Sequence, residues 1–400
     1  MSITLPNIEA SCDGLPLVDA VAETKVTSDR TASGQLRMEV IHDIEAVPSN
    51  AIEAWKQMTD NPMANPQWLL TWWKHYGSSN DQLQLVMFFD DEELVSIAPL
   101  YLDNGSDFKL LGSGKVCSDH SELLIGDTDS VERAAPLLLD WLLGDESPAW
   151  RCLHLEAIDS FSQTAQITKN WNERLSVWSG AGESICSIDL PEDWEQYLKS
   201  LSKNHRKRVR RWTRQHLDSE QVEVRSTASG WNMEEAYECL IRLHNLRRSE
   251  LPEKGAFECE RFQSFHREAF VGLAEQDRAE ISAIFVDDRP VAIEYELCND
   301  ETSFAYQSGV DTSSELSSPG SVSILARLQS AVASGKNTFD LMRGNEDYKS
   351  HWKAHCVPTR DVKVWPQDLS GNSSRLKFHA KRQLRSIARF VKARLKGESK

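Results

Sequence analysis

At 400 residues, with 40% hydrophobic and 26% charged side chains, the chain has the composition of a folded globular protein. Its length favours two domains over a single core. A net charge of −16 disfavours nucleic-acid binding over the whole surface, and no apolar run is long enough to cross a bilayer.

Residues 1–35 are rich in Ser, Thr, Ala and Asp without apolar periodicity, which predicts a disordered lead-in. They lack the basic and apolar segments of a secretory signal. The eight cysteines are scattered with no CxxC pair, a spacing that argues against a metal site and fits reduced thiols in the cytoplasm.

Along the chain, residues 51–76 read as helical, with Trp55, Trp72, Trp73 and Tyr76 as bulky apolar surface. Leu83–Phe89 and Leu94–Tyr101, joined by Asp90-Asp91-Glu92-Glu93, predict a hairpin. Phe108–Leu111 and Ser121–Ile125 are short strand candidates. Val131–Leu143 carries a helical stripe ended by Gly144, and Trp150–Ile158 is a strand. Ser179-Gly180-Ala181-Gly182 then suggests a boundary near 175–190.

Residues 191–217 predict a helix with an apolar face under a basic one and a break near Ser202. Met233–Arg247 is a second helix, with Asn232 and Glu235 at capping-box spacing. Ile281–Val286 and Pro290–Cys298 repeat the hairpin, followed by strand Ser303–Gly309, helix Ser321–Ser334, and strands Thr338–Met342 and Asp361–Trp365. Hairpin, strand, helix and strand thus occur twice, about 200 residues apart, as in a diverged duplication.

The chemistry concentrates in Tyr306-Gln307-Ser308-Gly309, Ser317-Ser318-Pro319-Gly320, and Phe339-Asp340 to Tyr348-Lys349. A strand leading through a Gly-containing loop into a helix N-terminus suits an anion, although Pro-Gly before a helix also serves as a plain turn. In this order, together with the basic helix 203–214, Leu243-His244 with Arg247, and the hairpin 281–298, the motifs resemble the GNAT-like acyltransferases of the cellulose-biosynthesis (CelD-type) group. That group is distantly related to the FemABX peptidyltransferases, and the resemblance covers about residues 190–365.

The resemblance implies an α/β (α+β) fold of tandem GNAT-like domains, each a mixed twisted sheet flanked by helices. Residues 36–180 would form a degenerate first domain, 185–366 the acyltransferase domain, and 367–400 a basic amphipathic tail. It implies acetyl-CoA or another acyl-CoA as donor, with the pyrophosphate at Ser318, Pro319, Gly320 and Ser321. One glycine stands where the family pattern carries several. The acceptor it implies is an amine on a small molecule, a sugar or a cell-envelope precursor, in polysaccharide biosynthesis. Its alternatives are aminoacyl transfer from tRNA, the one nucleic-acid partner in view, and a non-catalytic accessory protein that keeps the fold.

N-acyl transfer needs a base for the amine and an acid for the leaving thiolate. Asp340 and Glu294 are candidate bases, and Tyr348 and Tyr306 candidate acids. Asp340 has a structural alternative in pairing with Arg343 or loop amides, and Glu294 in facing solvent. Arg343, Lys349 and Arg247 are candidate contacts to an acidic substrate, with ion pairing to Glu346 and Asp347 as the alternative for the first two. His244 reads as either a core histidine or a substrate contact. Arg206 and Arg210 belong to the basic helix face, read as an anion clamp or as a solvated surface.

In the tail, Leu384, Ile387, Ala388, Val391 and Leu395 form a stripe opposite Lys381, Arg382, Arg385, Arg389, Lys392, Arg394 and Lys396. Such a helix either lies on an anionic membrane surface, which would place the protein at the inner face of the membrane, or packs its stripe on the body. No metal-ligand cluster stands out.

Overall fold

The computed structural model describes residues 36–116, 118–248 and 255–397. The expected lead-in over 1–35 and two of the cysteines, Cys12 and Cys117, lie outside the described residues, as do the side chains of 389–397 and with them Val391 and Leu395 of the tail stripe.

The first half runs β1 (Arg37–Ile41), α1 (Ser49–Met58), α2 (Pro66–Tyr76), β2 (Gln82–Asp90), β3 (Glu93–Asp103), β4 (Asp107–Leu110), β5 (Ile125–Gly126), α3 (Thr128–Leu143), β6 (Cys152–Asp159), α4 (Gln163–Asn170) and β7 (Ser176–Asp189). Two short helices follow, α5 (Trp194–Ser200) and α6 (Lys203–Trp212). The second half repeats the order with β8 (Val222–Ser226), α7 (Met233–Arg248), α8 (Glu260–Ala274), β9 (Ala279–Val286), β10 (Arg289–Cys298), β11 (Thr302–Val310), α9 (Pro319–Ala333), β12 (Thr338–Arg343), α10 (Asp347–His351) and β13 (His355–Trp365). Helix α11 (Leu369–Gly397) closes the described chain.

Local chemistry explains most of these limits. Asn65 accepts from the Gln67 amide with Pro66 behind it, which starts α2. Ser202 caps α6 through the His205 amide and so breaks the helix expected over 191–217, which begins at Trp194 on the Asp193 cap. Asp287 and Asp288 both sit at positive φ, the backbone of a tight hairpin turn.

Among the described residues, all thirteen strands share one sheet, ordered β1-β2-β3-β4-β6-β13-β7-β12-β11-β10-β9-β8, with β5 paired to β3. The two halves exchange their last strands. β13 of the second half pairs with β6 of the first, and β7 of the first pairs with β12 of the second. The expected boundary at 175–190 therefore falls inside β7. Its glycines serve close approach rather than a turn: a Cβ at Gly180 would overlap the Trp178 ring, and one at Gly182 the Thr359 hydroxyl.

The exchange also corrects the expectation of reduced thiols. β7 and β13 run antiparallel with Cys186 opposite Cys356, and the two are joined in a disulfide. A separation of 170 residues hides that pairing from any spacing rule.

One face of the sheet carries a core built by both halves. Trp68 on α2 packs edge-on against Phe265 on α8 (centroids 5.0 Å apart) and Tyr306 on β11 (5.3 Å). The opposite face holds two separate cores, one under α3 and one under α5, α6 and α9.

Candidate active site

β11 and β12 run parallel only over Thr302–Phe304 and Thr338–Asp340. Beyond that point they part, and the site lies at the opening. Gly309, on the diverging half of β11, lies so close to α7 that a Cβ there would overlap the His244 amide.

Asp340 is the last residue of β12 paired with β11. It is buried, and its Oδ2 lies 2.9 Å from Nε2 of His120, a residue of the first half. Its other oxygen accepts from the Met342 amide at 2.6 Å, which stabilises Met342 at φ 60° just beyond. His120 is also left-handed, at φ 54°. Two non-glycine residues in that region, both beside one carboxylate, mark a strained pair held by its surroundings. The His120 ring stands 5.9 Å from Phe304 and keeps 30% of its side chain exposed.

Burial disfavours the charged imidazole, but the hydrogen bond and charge of Asp340 outweigh it and raise the His120 pKa above 6.5. Next to it, Asp119 is fully buried. Its carboxylate pairs with the Arg343 guanidinium and accepts from the Arg343 amide at 3.0 Å. Burial pushes its pKa up, opposed chiefly by Arg343.

On the α9 side of the sheet, Glu294 on β10 stands opposite Ser308 of the diverging strand. It is fully buried, and burial followed by the charge of Glu296 pushes its pKa up to about 8. Ser323 of α9 hydrogen-bonds it, and Arg247 and Tyr348 lie within electrostatic reach. Burial, then Glu346, raises the Tyr348 hydroxyl well above its ordinary value. Glu296 has a different task, since it and Glu280 clamp the Arg327 guanidinium from two sides.

The sequence-predicted residues thus divide. Asp340 meets His120; Glu294, Tyr348 and Arg247 form a second group. Tyr306 instead ties the halves together, donating to the Val116 carbonyl and lying 3.4 Å from His266 Nε2. Lys349 is buried with its ammonium on the carbonyls of Met342, Arg343 and Gly344 at 3.0 to 3.1 Å and on Glu346, so it braces the end of β12. Arg343 pairs with Asp119 rather than with Glu346 or Asp347. His244 donates from Nδ1 to the Ser308 carbonyl at 3.0 Å, and burial lowers its pKa to about 4, which keeps it neutral.

Sequence reasoning missed His120 and Asp119. A lone Ser-Asp-His run in a loop carries no spacing signal.

The two loops that open α3 and α9 differ in charge. Asp127 caps α3 with its own carboxylate, on the Ser130 amide. Ser318, which opens α9, makes no side-chain cap bond and sits at φ 62°. Leu316, in the loop before α9, shares a core with Val209 and Trp212 of α6. Arg210 pairs with Glu195 at 2.7 Å, Arg206 reaches the Lys199 carbonyl at 3.4 Å, and Lys203, Lys207, Arg208 and Arg211 are exposed.

Residues 203–350 match the acetyltransferase (GNAT) domain family. The fold is GNAT-type. A crystal structure of FemX superposes on the chain with a TM-score of 0.55 at 10% identity, over 74% of this chain and 90% of that one. A conserved protein of unknown function from Bacteroides thetaiotaomicron gives 0.49 at 13% (78% and 97% covered), and a tandem GNAT protein from the clavulanic acid biosynthesis pathway 0.43 at 11% (83% and 98%). No curated protein matches by sequence. The matched GNAT region begins with α6 and takes in the parting of β11 and β12, α9 and the Asp340 carboxylate, but not His120, which the first half contributes.

Proposed function

We propose that the protein is an acyl-CoA-dependent N-acyltransferase whose donor site is the opening between β11 and β12 in the second half. The observation that carries this reading is the His120–Asp340 pair at the point where the strands part. With Asp340 as the acceptor, Nε2 of His120 carries the hydrogen and Nδ1 is the nitrogen left to take a proton. The acceptor amine would lose its proton to Nδ1 as its nitrogen attacks the thioester carbonyl. The C–N bond forms, the C–S bond breaks, and the leaving thiolate takes a proton from Tyr348, which burial keeps protonated. Asp340 acts by orienting the ring and stabilising its charged form. Glu294, on the α9 side of the sheet, stays neutral up to about pH 8.

For the donor phosphates, the uncapped N-terminus of α9 at Ser318, Pro319, Gly320 and Ser321 is the anion site, and the exposed cations of α6 are a second contact. The carboxylate of Asp127 repels an anion from the matching end of α3, which leaves the first half to supply His120 and to shape the acceptor side. An amine on a sugar or envelope precursor as acceptor rests on the CelD-type resemblance alone.

Aminoacyl transfer from charged tRNA is a second reading, supported by the exposed basic face of α6 and separable by its steep salt dependence. The test is thiol release from acetyl-CoA across a panel of amines. Transfer should appear with the intact chain and fall at least about a hundredfold in His120→Gln, with donor binding kept. Transfer unaffected by that substitution would overturn the assignment.

A further inference from the structure

Among the described residues, helix α11 touches the body by one side. Phe378 sits between Trp178 and Trp365, with ring centroids 4.8 and 5.5 Å away. Arg382 lies over Trp178 at 5.0 Å, and Arg375 Nη1 donates to Ser176 Oγ at 2.7 Å. With 3.6 residues per turn, positions 375, 378 and 382 share one narrow arc.

The opposite arc carries Leu376, Leu384 and Ile387, and these are 67%, 66% and 57% exposed. Leu369, on the same line, is 91% exposed. These residues of the stripe therefore do not pack on the body: the docked side of the described helix carries arginines, and the apolar side faces away. Along its edge stand Lys377, Lys381 and Arg385, all exposed. Between residues 369 and 397 there are nine Lys or Arg and no Asp or Glu, in a chain whose net charge is −16.

We propose that α11 lays this stripe on an anionic lipid surface and thereby holds the transferase at a membrane. The helix is in-plane, since no described helix is long and apolar enough to cross a bilayer. Leucine and isoleucine would enter the boundary of the acyl chains while the flanking cations meet the headgroups. Charge complementarity selects this occupant. A second copy of α11 packed on the same seam would bring its rows of lysine and arginine against those of the first, without a carboxylate between them.

The test uses the full chain, sedimented with vesicles of phosphatidylcholine alone or mixed with phosphatidylglycerol. Binding should be at least about tenfold stronger on the mixed vesicles and weaken with salt. Leu384→Glu with Ile387→Glu should lower it at least about tenfold, and Lys381→Glu with Arg385→Glu should remove the preference for phosphatidylglycerol. All four positions are exposed, and an unchanged thermal transition shows that the body stays folded in each variant. No sedimentation with either vesicle, equal binding to both, or binding unchanged in the Leu384/Ile387 variant would overturn the proposal. A concentration-dependent dimer lost in that variant, without vesicle binding, would assign the stripe to a second copy instead.

Discussion

Burial alone would lower the pKa of His120, and Asp340 reverses the sign. Two consequences can be measured. As a base, His120 must be neutral, so kcat/KM for transfer should rise with pH through an inflection above 6.5. Asp340→Asn should move that inflection downward and lower the plateau, because the ring loses both its orientation and its counter-charge. In stability the sign is opposite: a histidine raised by its partner stabilises the fold fully below about pH 6.5, and the contribution is lost as pH rises through the folded value. Glu294 provides a separate check. Its folded pKa of about 8 lies above the ordinary glutamate value of 4.5, so the unfolded chain ionises first and stability falls between those two values. The slope is about 1.4 kcal/mol per pH unit for one group. Glu294→Gln should flatten it, seen by denaturant titration at several pH values. At this scale Asp340, Glu294 and Tyr348 are legible as candidates because each lies on or beside a recognisable strand. His120 is not, since its partner is 220 residues away.

Among the elements, hairpins and helices were legible wherever local chemistry sets them: the Asp-Asp turns, the Ser202 break, Asn232 holding the Glu235 amide at 3.1 Å. The strand expected over Ser121–Ile125 shrinks to Ile125–Gly126, since the preceding residues swing out to place Asp119 and His120 against Asp340 and Arg343. Helices α4 and α8 were passed over. For α8 the reason is packing: its apolar positions, from Phe262 to Leu273, are buried mainly by partners from the other half and by aromatic rings of distant strands. Gly309 is the sharpest element-level test. Gly309→Ala drives a methyl into the α7 backbone and should cost about 1 to 3 kcal/mol by chemical denaturation, with weaker acyl-CoA binding as β11 shifts.

For the whole molecule, the two similar halves are joined through one sheet. Each gives its last strand to the other, and the Cys186–Cys356 disulfide fastens the exchanged pair. The repeated order of elements was readable from the sequence, but the exchange was not, because a strand that pairs with the other half has the same alternation as one that pairs with its own. A fragment beginning at residue 185 would lack β6 and most of the β7 partner of β13. It should fail to give a cooperative thermal transition, whereas the full chain unfolds with both halves together; a sharp transition in the fragment would show that the exchange is dispensable. Reduction or Cys356→Ser should lower stability by about 2 to 4 kcal/mol.

The proposed donor site holds an acyl-CoA at the opening between β11 and β12, with its phosphates on the N-terminus of α9. Calorimetric titration of the intact chain with acetyl-CoA, beside Gly320→Trp, tests it directly. Saturable binding to the intact chain is expected, abolished in Gly320→Trp while circular dichroism stays the same. Failure of the intact chain to bind acetyl-CoA or a longer acyl-CoA, or equal binding by the variant, would contradict it.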